Sequence, residues 1–125
     1  MKTKKTWMII SGILGFLGVA LGAFGAHILL NILTPERLET YRTAVMYHLI
    51  HTVVITAISL AGDTRFLRAA YFFTAGIILF SFSLYLYSLT GLTFFAMITP
   101  VGGISFLVGW GMIVVEGIRN KGIGV

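Results

Sequence analysis

Residues 7–30 read WMIISGILGFLGVALGAFGAHILL, an apolar run carrying glycine at Gly12, Gly15, Gly18, Gly22 and Gly25. At about 100° per residue the five glycines share one stripe about 140° wide. Each costs about 1 kcal/mol in a water-exposed helix, so a soluble helix is ruled out here. In a bilayer the alternative to helix is unpaired backbone in hydrocarbon, and the helix survives. The spacing Gly18-x-x-x-Gly22-x-x-x-Ala26 is a small-xxx-small pattern that lets a second backbone approach closely. The run therefore predicts a first membrane helix, acting as the central strut against which the others pack.

Composition agrees. The chain is 58% hydrophobic and 10% charged, with a mean hydropathy of +0.98, outside the range of soluble domains. Its 125 residues hold one domain of four spans at about 20 residues each. The expected fold is all-α, a polytopic membrane protein built as a compact bundle of four transmembrane helices. A net charge of +5 and a pI near 9.9 raise nucleic acid as a partner. The nine Lys and Arg residues flank apolar runs instead of forming a basic face, so anionic lipid headgroups fit better and nucleic acid is excluded. The absence of cysteine removes disulfides, thiolate metal sites and thiol nucleophiles. Lys2, Lys4 and Lys5 before an apolar run imitate a signal peptide, but the run is too long for its apolar region, so the first helix is expected to stay.

Span one covers about 7–30, with Trp7 placed as an interfacial anchor. Thr34 and Pro35 supply a cap and a first turn for a polar helical entry to span two, about 41–61, which Gly62 and Asp63 end. Span three covers about 68–89, and Gly91 allows a tight turn. Span four, about 92–115, contains Pro100, Gly102 and Gly103; the reading favoured is one long helix kinked at the proline. Seven basic residues (Lys2, Lys4, Lys5, Arg65, Arg68, Arg119, Lys121) fall on one side of this topology, and Arg37 and Arg42 on the other. The positive-inside rule then puts both termini in the cytoplasm of a cell-membrane protein.

Polar groups inside such spans are costly, so each is weighed. His48 and His51 lie on adjoining parts of one face of span two, in a stripe with Tyr41, Thr52 and Ser59. His27 sits at comparable depth in span one but points away from the glycine stripe, so a three-histidine cluster needs a distorted helix end. Three imidazoles can bind zinc, two can ligate haem iron, and a chain of them can relay protons. The plainer reading, hydrogen bonds to carbonyls or hydroxyls of neighbouring helices, comes first. For His51 the expected acceptors are a carbonyl in span one or a Ser or Tyr hydroxyl in span three. Span three carries Thr74, Ser81, Tyr85 and Ser88 in one stripe, read as interhelix packing, with a lined pathway as the lesser reading. Pro100, Gly102 and Gly103 resemble the broken helices of transporters, although a packing kink is the simpler account. No phosphate loop, nucleophile–base set or intramembrane carboxylate pair occurs, so no enzyme and no cofactor are expected.

Five motifs in order make the chain resemble the domain of unknown function 423 family, related to eukaryotic transmembrane protein 256. They are residues 22–27 (GAFGAH), Thr43-Ala44-Val45 with Tyr47 and His51, residues 80–85 (FSFSLY), residues 99–103 (TPVGG), and Gly109-Trp110. The family pattern has glycine where this chain has Phe82, which removes the smooth surface a close backbone approach needs at that point. The resemblance implies a four-helix protein, placed in bacteria in the cytoplasmic membrane, and supplies no activity, substrate or cofactor. The expected role is a non-catalytic accessory or scaffold contacting the lipid bilayer, other membrane proteins or further copies of itself. The alternative is a small transporter or proton conductor using His27, His48 and His51; a haem- or metal-binding redox subunit ranks third.

Overall fold

The computed structural model describes residues 2–119. The basic tail residue Lys121 lies outside them. Among the described residues four helices are long and apolar enough to cross a membrane: α1 (Thr3–Leu29), α2 (Pro35–Ala61), α3 (Thr64–Thr90) and α4 (Thr93–Arg119). At 27 residues each they measure about 40 Å, longer than the hydrocarbon core of about 30 Å.

Local chemistry sets their ends. Thr34 holds extended backbone and its hydroxyl accepts from the Arg37 N–H at 3.3 Å, with Pro35 in the first turn of α2. Gly62 ends α2 at φ 68°, its N–H donating to the Ile58 carbonyl. Gly91 ends α3 at φ 73°, its N–H donating to the Tyr87 carbonyl at 2.7 Å. Both positions lie in the left-handed region that favours glycine. Across the second of these turns sits the Arg37 guanidinium, in the space a Cβ on Gly91 would take.

The molecule is apolar outside and carries polar groups within. Ile13, Phe16, Phe24, Val101, Leu107 and Ile118 are all exposed, whereas Ser11, His48, Ser59, Ser81 and Ser88 are buried. That distribution suits hydrocarbon as the solvent.

Two expectations are corrected. α1 is not the central strut: one face lies on α2, and Ile9, Ile13, Phe16, Val19, Phe24 and Ile28 look outward. The centre is occupied by α2 and α3, whose Ala44, His48, Ile55, Ala70, Phe73, Ile77 and Ser81 are fully buried. The glycine stripe makes one side smooth, and one side accepts one neighbour. Trp7 is not a lipid-interface anchor either. It is 3% exposed, set edge-on to Tyr71 at 4.9 Å in the main core cluster. An indole with a helix to pack against buries its area there.

α3 and α4 interlock. Phe106 fills the space beside Gly76, and Phe73 fills the space beside Gly109, a reciprocal pair of rings over glycines. Between them Gly102 lies directly on the backbone of Leu79 and Phe80. The backbone contact that sequence assigned to the α1 glycines belongs to this position, and it needs no glycine at Phe82. α4 runs through Pro100 as one helix, so the transporter-like break is absent from it. The proline lacks an N–H, which leaves the Ala96 carbonyl without its intrahelical partner.

Two stretches wind more loosely, as π-helix: Leu21–Gly25 in α1 and Ile77–Phe82 in α3. Each slips one additional residue into a turn and turns the following side chains relative to a plain helix.

Candidate polar intramembrane site

The buried face of α2 carries Tyr41, Ala44, His48, His51, Thr52, Ile55 and Ser59, at helical spacing. Thr52 and Ser59 hydroxyls donate to the carbonyls four residues earlier, of His48 and Ile55, at 2.7 and 2.8 Å. Those two are thereby satisfied within the helix. Tyr41 and the histidines reach across to other helices.

His48 is fully buried and holds three helices together. Its Nε2 is 2.8 Å from the Leu14 carbonyl of α1, and its Nδ1 is 2.8 Å from the Tyr85 hydroxyl of α3. A carbonyl only accepts, so Nε2–H donates to Leu14; the neutral ring then accepts from the Tyr85 O–H at Nδ1. Phe82 packs edge-on to this imidazole at 5.6 Å. Gly18 faces the same ring: a Cβ there would lie 3.3 Å from its Cδ2 and 2.5 Å from Leu49 Cδ2. One level outward, the Tyr41 hydroxyl donates to the Leu21 carbonyl at 2.6 Å. Gly25 makes that reach possible, because the phenol occupies the space its Cβ would fill. Gly22 accommodates Val45 and Gly15 lies beside Thr52, while Gly12 meets nothing within 4 Å. The stripe therefore receives side chains of α2, and no backbone comes against it.

His51 belongs to a second network. Its Nδ1–H donates to the Tyr47 carbonyl of its own helix at 2.8 Å. Its Nε2 accepts from the Trp110 indole N–H of α4 at 3.1 Å. An indole N–H only donates, so His51 is the neutral tautomer protonated at Nδ1. Phe106 stacks on it at 3.8 Å and 13°. The partners expected for His51, a carbonyl in span one and a hydroxyl in span three, are those of His48, and the His51 N–H donates within its own helix. Trp110 stands 59 residues away in sequence, and no spacing rule points to it. An apolar groove of about 520 Å³ opens beside this network, lined by Tyr47, Phe80, Pro100, Gly103 and Trp110 among others. Since Nε2 is already bonded, the groove meets ring faces and no free imidazole lone pair.

The three histidines do not converge. His27 lies on the exposed side of α1, and among the described residues no three His, Cys, Asp or Glu side chains gather as a metal site. Even the looser winding at Leu21–Gly25 leaves His27 pointing away. In α3, Ser83 bridges to Thr99 at 2.7 Å, and Ser105 donates to the Phe72 carbonyl at 2.7 Å, tying α3 to α4. Ser81 and Ser88, in the stripe of Tyr85, are buried with no hydrogen-bond partner among the described residues.

Comparisons with known proteins bear on the whole chain. A family described as "Protein of unknown function (DUF423)" matches residues 21–103. The UPF0382 inner membrane protein YgdD of Escherichia coli (strain K12) is 39% identical over 127 residues, covering 98% of this chain and 97% of that protein. The UPF0382 membrane protein YwdK of Bacillus subtilis (strain 168) is 38% identical over 120 residues, covering 92% and 98%. A UPF0382 membrane protein of Haemophilus influenzae is 34% identical over 123 residues, covering 96% and 99%. No solved structure matches.

Proposed function

The chain belongs to the DUF423 family, and from that premise we propose a non-catalytic accessory or scaffold protein of the cell membrane. It forms one four-helix domain over residues 1–125, crossing the hydrocarbon at about 7–30, 41–61, 68–89 and 92–115, with both termini cytoplasmic. The observation that carries a structural role is where the imidazole protons go. His48 donates to the Leu14 carbonyl and His51 to the Tyr47 carbonyl. A carbonyl oxygen has no proton to hand on, so each chain of hydrogen bonds stops within one or two links. These groups fasten helices together and do not relay charge.

Proton flux in liposomes tests this. Wild type should match empty vesicles; flux above them that vanishes in a stably folded His48→Gln variant would overturn the reading. Affinity purification from native membranes should recover a membrane protein, or further copies of this chain, in stoichiometric amount. For the orientation, the support is charge. Lys4 and Thr64 line one cavity, and Arg65, Arg68 and Arg119 line its neighbour at the same end, while Arg37 sits at the opposite turn. Reporter fusions at Val125 and near Glu36 should give opposite signals, with the cytoplasmic one at Val125.

A further inference from the structure

The basic end of the bundle contains a cavity as well as charge. Arg65 and Arg68 from the start of α3 and Arg119 from the end of α4, with Thr64 and Glu116, line a space of about 280 Å³. Three arginines and one glutamate line it, and the Asp63 carboxylate stands beside Arg65. Arg65 is paired with Asp63, its Nε donating to both carboxylate oxygens at 3.0 Å. That pairing keeps the Asp63 carboxyl below the usual carboxylate range, so the clamp persists through neutral pH. Glu116 lies 3.8 Å from Arg119, and among the described residues Arg68 forms no ion pair. The cavity thus presents an excess of positive charge in the planar, forked form that suits phosphate oxygens. One turn before Arg119, on the same side of α4, the surface becomes apolar: Val115 is 49% exposed, and Met112 and Val108 beyond it are half-buried. A free anion would use the charged part of this surface alone. A molecule with a phosphate head and a hydrocarbon tail would use both.

We propose that this cavity seats the phosphate of an anionic phospholipid between Arg68 and Arg119, with an acyl chain along Val115, Met112 and Val108. Arg65 contributes field while it stays on Asp63. A zwitterionic lipid offers the same phosphate with a cation attached, which a cationic cavity disfavours. The assignment rests on membrane embedding of the chain, and on neither the scaffold role nor the orientation.

Thermal unfolding of the full chain in an uncharged detergent, titrated with phosphatidylglycerol, phosphatidylcholine or inorganic phosphate, tests it. Phosphatidylglycerol should raise the wild-type midpoint saturably, and phosphatidylcholine should not. Arg68→Gln and Arg119→Gln should each raise the half-saturating concentration about fivefold, whereas Arg42→Gln at the other end should leave it unchanged. If a Gln variant does not fold, the Arg68→Lys/Arg119→Lys pair keeps the charge, loses the fork, and should still raise half-saturation at least about twofold. No shift with phosphatidylglycerol, an equal shift with phosphatidylcholine, or unchanged half-saturation in the variants would overturn the proposal. An equal shift with inorganic phosphate would do so too, by reassigning the cavity to a free anion.

Discussion

His48 is fixed at both ring nitrogens by groups on two different helices, and His51 by its own helix and α4. Their variants should differ accordingly. His48→Leu removes a bond to α1 and strands the buried Tyr85 hydroxyl, so it should destabilise by about 2 kcal/mol, and Tyr85→Phe should reduce that penalty. His51→Leu loses one interhelix bond of modest length and a stacked ring, for about 1 kcal/mol. The pair His51→Leu and Trp110→Phe should be less than additive in thermal stability; strict additivity would mean the indole N–H bond contributes nothing. At this scale the sequence was partly legible. Helical spacing identified which α2 residues face inward. It did not identify partners, because Leu14, Tyr85 and Trp110 are joined to α2 only through the packing of whole helices.

Between helices the decisive quantity is what stands opposite each glycine. Gly102 faces backbone, which cannot move aside, while Gly18 faces side chains of Leu49 and His48 and Gly22 faces the Val45 side chain. Gly12 faces open space. Alanine substitutions should therefore rank by cost: Gly102 largest, at about 2–3 kcal/mol, then Gly25, then Gly18 and Gly22, with Gly12 near zero. Leucine at both Gly18 and Gly22 should cost about 1–3 kcal/mol. A thermal-stability series in detergent with Gly12→Ala as damaging as Gly102→Ala would contradict this assignment of interfaces. A glycine stripe in sequence announces a smooth side and says nothing of what will lie on it. The looser turns at Leu21–Gly25 and Ile77–Phe82 were not legible at all. One additional residue per turn leaves composition and hydropathy unchanged and alters only which way the next side chains point.

As a whole molecule, the four-helix membrane fold was legible from apolar runs, turn residues and the placement of basic side chains. Each of these reflects the solvent the chain meets, so each can be read without knowing any contact. The order of importance among helices was not, because burial depends on neighbours. The interfaces lined by glycine join α1 to α2 and α3 to α4, helices adjacent in the chain. Each pair can close as soon as it leaves the ribosome, the first before the second exists, so the order of synthesis doubles as the order of assembly. The two halves then meet through His48 and Tyr85, through His51 and Trp110, and through Trp7 and Tyr71. A chain cut between Gly62 and Asp63 and expressed as two co-produced fragments should accordingly reassemble in the membrane and co-purify. Tyr85→Phe should weaken that reunion while leaving each hairpin intact.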